Sequence, residues 1–139
     1  MSDRVDYFPQ AFGGFDPSGD PDAALKLVLN AIMMDNRLDE LSSLLTDGHE
    51  IGALEGEPGW TIQRRDSGPA GERSAYRSWP QDAKFRAYVD PDQFHLGHSE
   101  AFAGSGVFHK YVRNALAAYV ARNPSNEEAA RAIFSLVCE

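Results

Sequence analysis

The spacing of the apolar residues changes twice along the chain, and these changes restrict the fold more than any other feature. Over residues 21–47 the apolar side chains recur at the spacing of a helix face. Over 60–89 apolar and polar residues alternate, as in WTIQR, which is typical of strands with one buried face. Helical spacing returns over 106–137. This order predicts an α+β domain in which helices cover one face of a short sheet.

Residues that start and stop helices divide the N-terminal part. Asp20-Pro21 supplies a helix cap and a proline at the first helical position. Asp35-Asn36 interrupts the apolar stripe, and Gly48 is a typical C-terminal stop. Residues 21–47 are therefore predicted to form an antiparallel helical hairpin. Residues 1–20 mix aromatic residues with Gly, Pro and Asp, which predicts a partly irregular segment with one short extended stretch packed on the domain.

The middle of the chain contains the predicted strands, and the C-terminal part contains two more helices. Alternation at 60–64, 73–79 and 84–89 predicts a small antiparallel sheet of about three strands, although the last of these segments also fits helical spacing. A helix over 106–122 ends at an Asn-Pro pair. An S-x-x-E capping box then begins a last helix over 126–137. The whole chain is predicted to form a single domain.

Cysteine content and hydropathy indicate the compartment. The 139 residues include one cysteine, Cys138, which cannot form an internal disulfide. The chain has no run of about eighteen apolar residues, so no membrane span is predicted. The opening residues, MSDRVDYFPQ, lack a basic region followed by an apolar one, so no secretory signal is predicted. These features are typical of a protein of the reducing cytoplasm.

The formal net charge of −8 is concentrated near the N-terminus. Residues 1–57 hold twelve acidic and three basic side chains, whereas residues 58–90 hold four acidic and six basic ones. General binding to nucleic acid needs cations that displace phosphate counterions, so an acidic chain has the wrong sign for it. The acidic part would attract a basic protein partner, although acidity also serves solubility alone.

The stretch FHLGHSEAFAGSGVFHK, residues 94–110, holds three of the four histidines, His95, His98 and His109, with Glu100 among them. Such a group could bind zinc and make the chain a metal-dependent hydrolase. However, the sequence has no HExxH pattern and no CxxC pair, and the glycines of the stretch are typical of a loop that leads into a helix. The simpler interpretation is a loop-to-helix entry without metal. No catalytic residue and no cofactor are predicted.

Cations and aromatic residues interleave in the middle of the chain. They are Trp60, Arg64, Arg65, Arg73, Tyr76, Arg77, Trp79, Lys84, Arg86 and Tyr88. On a sheet surface this set could stack bases or bind a phosphate, or it could form a protein interface. Alternation favours a third arrangement, in which the aromatic residues face the core while the arginines face water and pair with the acidic part.

The overall layout resembles the small acidic immunity proteins of bacterial polymorphic and contact-dependent toxin systems. The resemblance is carried by the helical pair LVLNAIMMDNRLDELSSLLTDGHEIGALEGEPGWTI, by YRSWPQDAKFRAYVDPDQF, and by the closing helix FHKYVRNALAAYVARNP. It implies a cytoplasmic inhibitor without enzymatic activity. Such an inhibitor binds one cognate toxin domain, for example a basic nuclease, by charge and shape.

The partner-binding surface that this resemblance implies combines carboxylates with aromatic anchors. The carboxylates would meet a basic active-site cleft, and the two tryptophans would anchor the complex if they are exposed. The residues predicted to contact the partner are Asp35, Asp39, Glu40, Asp47, Glu50, Glu55, Glu57, Trp60 and Trp79. A membrane and a nucleic acid are not expected as partners.

Overall fold

The structure, a computed structural model, describes residues 7–56, 59–66 and 76–137. Its helices are α1 (Phe8–Phe12), α2 (Ala23–Met34), α3 (Leu38–Leu45), α4 (Ser105–Arg122) and α5 (Glu127–Val137), with a 3-10 turn at Pro124–Asn126 before α5. Its strands are β1 (Ala53–Gly56), β2 (Trp60–Arg64), β3 (Phe85–Val89) and β4 (Glu100–Ala103).

The four strands form one antiparallel sheet in the order β1-β2-β3-β4, so each strand pairs with its neighbour in sequence. Trp60, the first residue of β2, pairs with Gly56 on one side and with Val89 on the other. Arg64, the last residue of β2, pairs with Phe85. The sheet therefore has two distinct ends, which we call the Trp60 end and the Arg64 end.

Helices cover one face of this sheet. Helix α2 contacts β2, β3 and β4, and α3 contacts β1 and β2. Phe108 of α4 stacks on Phe85 of β3 with 4.1 Å between the ring centroids. Helix α5 packs on α3 and α4, and α1 packs on α4, so the apolar faces of all the layers meet in one core. Within the described ranges, none of the helices combines the length and the apolar composition that a membrane crossing requires.

The predicted α+β fold is confirmed. The N-terminal hairpin consists of α2 and α3, the two C-terminal helices are α4 and α5, and the sheet has one strand more than predicted. The sequence does not reveal β1 and β4 because the side chains that they bury are a leucine and two alanines, Leu54, Ala101 and Ala103. Such short strands lack the β-branched and aromatic alternation on which prediction of strands depends.

Two local predictions differ from the structure. In the strand predicted over 73–79, residues 73–75 lie outside the described residues, and 76–79 form a turn in which the backbone N–H of Trp79 donates to the carbonyl of Tyr76 at 3.1 Å. The apolar stretch near the N-terminus is the short helix α1, not an extended segment. It ends at Gly13, whose φ of 73° is left-handed and therefore suits glycine.

A buried tyrosine connects the turn between α2 and α3 to the C-terminal helices. The Tyr119 hydroxyl donates to Asn36 Oδ1 at 2.6 Å and accepts a hydrogen bond from Asn126 Nδ2 at 2.7 Å. Asn36 has a φ of 56° at the tip of the hairpin, a left-handed conformation that asparagine adopts more readily than most residues. Asn123 Nδ2 donates to the Tyr7 hydroxyl at 3.1 Å, so the N-terminal segment belongs to the same polar cluster.

Replacing Tyr119 by phenylalanine is expected to lower the free energy of unfolding by about 1 to 2 kcal/mol. The substitution keeps the aromatic ring but removes the shared partner of Asn36 and Asn126. Urea unfolding followed by circular dichroism measures the change. Tyr88→Phe, on a partly exposed residue of β3, is the control and should change stability by less than about 0.5 kcal/mol. Equal losses in the two variants would contradict the role given to the Tyr119 hydroxyl.

Candidate functional site

The predicted acidic residues divide between the two ends of α3. The residue before the helix, Arg37, contacts the Trp60 end of the sheet, and Leu44, near the helix end, accepts a hydrogen bond from Arg64. The Trp60 end therefore has Asp35, Asp39, Glu40 and Glu55, and the Arg64 end has Asp47 and Glu50. A helix of 8 residues is about 12 Å long, so the two groups do not form one small site.

Arg37 organises the Trp60 end. Its Nε and Nη2 atoms donate to the two carboxylate oxygens of Glu40 at 2.8 and 2.6 Å, and its Nη1 atom donates to the backbone carbonyl of Glu55 at 2.9 Å. The guanidinium carbon also lies 5.2 Å from the centroid of the Trp60 ring. The hydrogen bond from Arg37 lowers the pKa of Glu40. The charge of Glu40 is therefore already balanced within the chain, which leaves it less suited to a partner than its neighbours.

Arg64 organises the opposite end, where its side chain is buried. Its guanidinium donates to four backbone carbonyls at and after the end of α3, those of Ser43, Leu44, His49 and Ile51. Its Nε atom donates to Asp66 Oδ1 at 2.6 Å, and this hydrogen bond lowers the pKa of Asp66. The ion pair therefore stabilises the fold above the ordinary pKa of an aspartate, and that stabilisation is lost as the pH falls through the lowered pKa. The expectation that the arginines of the alternating segment face water is wrong for Arg64.

The remaining acidic residues of the predicted set have different environments. The Asp47 carboxylate forms an ion pair with Lys84, so its charge is also balanced within the chain. Glu50 is exposed in the loop between α3 and β1. Glu57 lies outside the described residues. Asp47 and Glu50 therefore stay at the Arg64 end, apart from the carboxylates of the Trp60 end.

The two tryptophans differ in exposure. Trp60 is only 2% exposed, so it is not the exposed anchor that the sequence analysis allowed for. It shares the helix-covered face of β2 with Ile62, as alternation requires. Trp79 is partly exposed, and its ring packs edge-on against Tyr76 at 4.9 Å and Phe102 at 5.5 Å between centroids. Of the two rings, Trp79 is the one that a partner could contact without rearrangement.

A depression of about 580 Å³ opens at the Trp60 end, and we call it the end depression. It is lined by Glu55, Gly56, Gly59, Trp60, Thr61, Tyr88 and Asp90. Asp90 follows directly after β3, and its Oδ1 accepts a hydrogen bond from the Asp92 backbone N–H at 2.9 Å. Asp90 was not among the residues predicted from the sequence to contact a partner. The sequence does contain a signal for it. In an antiparallel pair the end of β3 lies beside the start of β2, which places Asp90 near Trp60.

Four carboxylates at this end form no close ion pair among the described residues, although Asp35 is attracted by the charge of Arg37. We call them the acidic end: Asp35, Asp39, Glu55 and Asp90. The first three are exposed, and Asp90 is partly exposed. In the part of the chain that the structure describes, no basic side chain forms an ion pair with any of the four. A cation that approaches this end of the sheet is attracted by the carboxylates nearest to it.

Gly56 allows the Trp60 ring to lie close against β1. A Cβ atom on Gly56 would come within 2.5 Å of the indole Cε2 and Cζ2 atoms. Gly56→Ala is therefore expected to lower the free energy of unfolding by about 1 to 3 kcal/mol, because the ring must move. Denaturant unfolding followed by tryptophan emission measures the loss.

The matched control for this glycine is Gly106→Ala in the first turn of α4, where a Cβ would meet open space. Because alanine is the better helix former, this variant should gain about 0.5 to 1 kcal/mol. A loss in both variants would show that the effect at position 56 does not come from the contact with the indole.

The histidine-rich stretch is a loop, a strand and the start of a helix. His95 and His98 are exposed in the loop before β4, Glu100 begins β4, and His109 lies in the first half of α4. Among the described residues, no group of three or more His, Cys, Asp and Glu side chains is placed to hold a metal ion. The histidines and Glu100 of this stretch are therefore not brought together as a set of metal ligands.

The cations of the sheet are engaged with acidic and aromatic side chains. Arg86 forms an ion pair with Glu100, donates to Gln63 Oε1 at 2.8 Å, and lies 4.9 Å from the centroid of the Tyr88 ring. The guanidinium of Arg65 lies 5.7 Å from the ring centroid of Tyr76. The expected separation of core-facing aromatic residues from arginines does not hold on the outer face of the sheet, where the Tyr88 ring lies beside Arg86 and Glu100, from outside the acidic part of the sequence, supplies the counter-charge. These pairings of the two arginines leave this face poorly suited to phosphate, which would have to displace the internal partners.

Comparisons of the chain with protein-family models, with curated proteins and with solved structures found no match. Its function therefore has to be inferred from the placement and chemistry of its own residues.

Proposed function

We propose that the chain is a protein-binding module without enzymatic activity, of the immunity type, which binds and neutralises a cognate toxin domain through the acidic end. The observation that carries this proposal is the grouping, at the Trp60 end, of four carboxylates that form no close ion pair among the described residues, two of which, Glu55 and Asp90, line the end depression. A toxin that acts on nucleic acid needs a basic cleft for its substrate. A protein surface of opposite charge is the simplest competitor for such a cleft.

Electrostatic attraction is the first contribution of the acidic end. Unbalanced charges on one surface increase the rate at which an oppositely charged partner finds that surface in the right orientation. The charges of Glu40 and Asp47 contribute less, since Arg37 and Lys84 already balance them. The proposed contact residues are therefore Asp35, Asp39 and Glu55 from the predicted set, together with Asp90.

Stabilisation of a helix explains only some of the carboxylates at the acidic end. Asp39 and Glu40 lie in the first turn of α3, where negative side chains stabilise the helix macrodipole. The same reason does not apply to Glu55, on β1, or to Asp90, which follows β3. The convergence of carboxylates from a helix, a strand and a loop at one end of the sheet is what favours binding of a basic partner.

Contact area beyond the charges would come from the outer face of the sheet. Trp79 packs against Phe102 on this face, and it remains the predicted aromatic anchor. Such a partner would lie across the sheet from the Trp60 end towards Trp79. Charge would set specificity and association rate, and the aromatic contact would slow dissociation.

Complex formation with the product of the gene immediately upstream tests this proposal. Both proteins are purified separately, mixed at low salt, and measured by light scattering coupled to size exclusion. The expected result is a 1:1 complex whose affinity falls steeply when salt is raised, because screening weakens surface charges. Two separate peaks at all salt concentrations would contradict the assignment of that product as the cognate toxin.

A further inference from the structure

We propose that the free edge of β4 is a self-association surface, on which a second copy of the chain adds its own β4 antiparallel and joins the two four-stranded sheets into one. We call this surface the β4 edge, and it consists of Glu100 and Phe102 with their outward backbone groups. An antiparallel pair of identical strands has two-fold symmetry, the commonest symmetry of protein dimers. The inference goes beyond the proposed function and does not depend on it.

The backbone groups of the β4 edge point away from the sheet. The backbone N–H of Val89 donates to the carbonyl of Ser99 at 2.9 Å, so Ser99 and Ala101 direct their backbone groups towards β3. Those of Glu100 and Phe102 therefore point outward. Among the described residues, none forms a hydrogen bond with these outward groups. Such an edge can accept the hydrogen bonds of a further strand.

The opposite edge of the sheet, on β1, is partly closed. The Arg64 backbone N–H donates to the carbonyl of Gly52 at 2.8 Å, so alternation directs the backbone groups of Glu55 outward. Arg37 occupies this position, because its Nη1 atom donates to the Glu55 carbonyl at 2.9 Å. The β4 edge has no corresponding side-chain donor within the described ranges. Of the two edges, it is therefore the one that a strand can join without displacing a side chain.

Phe102 determines the register in which two copies fit. Its side chain is partly exposed on the outer face of the sheet and packs against Trp79. When Phe102 of one copy lies opposite Phe102 of the other, the two rings form a cross-strand aromatic pair. The same register places Ala101 opposite Ala103 of the second copy on the inner face. These small side chains leave room for the strands to approach.

The Phe102 register also brings opposite charges into one row. It places Glu100 of one copy opposite Gly104 of the other, where no side chain intervenes. Lys84 lies beside that glycine, since its backbone N–H donates to the preceding carbonyl of β4 at 2.9 Å. Lys84 pairs with Asp47 within its own copy, and Glu100 supplies a second carboxylate from across the joint. The charges of the two copies are therefore complementary at the β4 edge.

The acidic end does not oppose this pairing. Asp39 and Glu55 lie on α3 and β1, and β1 is three strand spacings, about 14 Å, from β4. These carboxylates of the two copies are therefore separated by much more than the Debye length of about 8 Å in physiological salt. Both copies keep them accessible to another partner.

Sedimentation equilibrium of the full chain, from about 10 µM to about 1 mM, tests the proposal, because an interface of one short strand gives a weak dimer. We expect the average mass to rise with concentration from that of one chain towards that of two. The rise should be larger at high salt, since screening reduces the repulsion between chains of net charge −8. A complex with a basic toxin would weaken under the same change, so the two associations are distinguishable.

Matched lysine variants locate the joint. Phe102→Lys removes the aromatic pair and places two lysines directly opposite each other, so self-association should weaken by about tenfold or more. Tyr88→Lys makes the same change on the outer face of β3, one strand away from the joint, and should leave self-association unchanged.

Cysteine variants test the register independently of the lysine variants. In a Cys138→Ser background, Phe102→Cys should form an intermolecular disulfide with oxidised glutathione, because paired residues of this type have Cα atoms about 5.5 Å apart. Glu100→Cys should react far more slowly, since the two copies of residue 100 are four positions apart along the strands.

Three outcomes would overturn self-association through the β4 edge. They are an average mass that does not depend on concentration at any salt concentration, equal weakening by the two lysine variants, and a disulfide that forms at position 100 as fast as at position 102. The proposed function is tested separately by the upstream product, so failure of the dimer leaves it unchanged.

Discussion

Replacing Arg64 by methionine is expected to lower the free energy of unfolding by about 3 to 5 kcal/mol, because it removes one partner of a buried charged cluster. Arg64 is 2% exposed, and its guanidinium satisfies four carbonyls in the last turn of α3 and in the loop that follows it. Methionine fills similar space but leaves those carbonyls without a donor and Asp66 without its counter-charge. The loop between α3 and β1 should lose its order before the sheet does.

Urea unfolding of three variants separates the possible causes of this loss. Arg64→Lys keeps the charge but has no planar fork, so it should fall between wild type and Arg64→Met. Arg77→Met replaces an exposed arginine and should change stability by less than about 0.5 kcal/mol. If Arg64→Met were as stable as Arg77→Met, the account of Arg64 as the organiser of this end would be wrong.

Reversing two charges at the acidic end, Asp39→Lys with Glu55→Lys, is expected to slow association with the basic partner by about ten- to a hundredfold at low salt. Both side chains are exposed, and neither has an ion pair among the described residues, so the main cost to the fold is the lost helix-dipole contribution of Asp39, about 0.3 to 1 kcal/mol. Glu40 is a poor choice for reversal, because a lysine there would break the contact with Arg37. Stopped-flow measurement at several salt concentrations gives the rates.

The matched control reverses charges at the other end of the sheet. Asp82 precedes β3 and Asp90 follows it, and a strand of 5 residues spans about 17 Å, so Asp82 is remote from the acidic end. Glu50→Lys with Asp82→Lys makes the same change in net charge and should slow association far less. Equal slowing by both pairs would mean that the net charge of the whole chain matters and that the acidic end has no special role.

Helices and strands with strong local signals in the sequence are predicted more accurately than those without them. Helices α2 to α5 have apolar stripes at helical spacing, and residues that start or stop helices lie near several of their boundaries, so they are predicted to within a few residues. Strand β2 alternates clearly, but β1 and β4 bury too little apolar surface to be recognised before their partners are known. Edge strands of this kind are formed by pairing with a neighbour, and that pairing is a tertiary interaction.

The candidate site is harder to predict, because it depends on which residues pair. Composition identifies an acidic surface but cannot show that Glu40 and Asp47 are balanced by Arg37 and Lys84, since those contacts form only in the fold. One available signal was overlooked. Every second residue of a strand points to the same face of the sheet. The alternation in β2 therefore places Arg64 on the buried face, with Trp60 and Ile62. The assumption that arginine faces water outweighed that pattern.

Growth of bacterial cells that express the upstream product tests the central claim most directly. The upstream product is induced alone, with this chain, with the Asp39→Lys/Glu55→Lys variant, and with the Glu50→Lys/Asp82→Lys variant, at matched protein levels. We expect growth to stop with the product alone, to be restored by the wild type and by the Arg64-end variant, and to remain arrested with the acidic-end variant. Restored growth with both variants would contradict the acidic end as the inhibitory surface, and arrest that even the wild-type chain fails to relieve would contradict neutralisation of this partner.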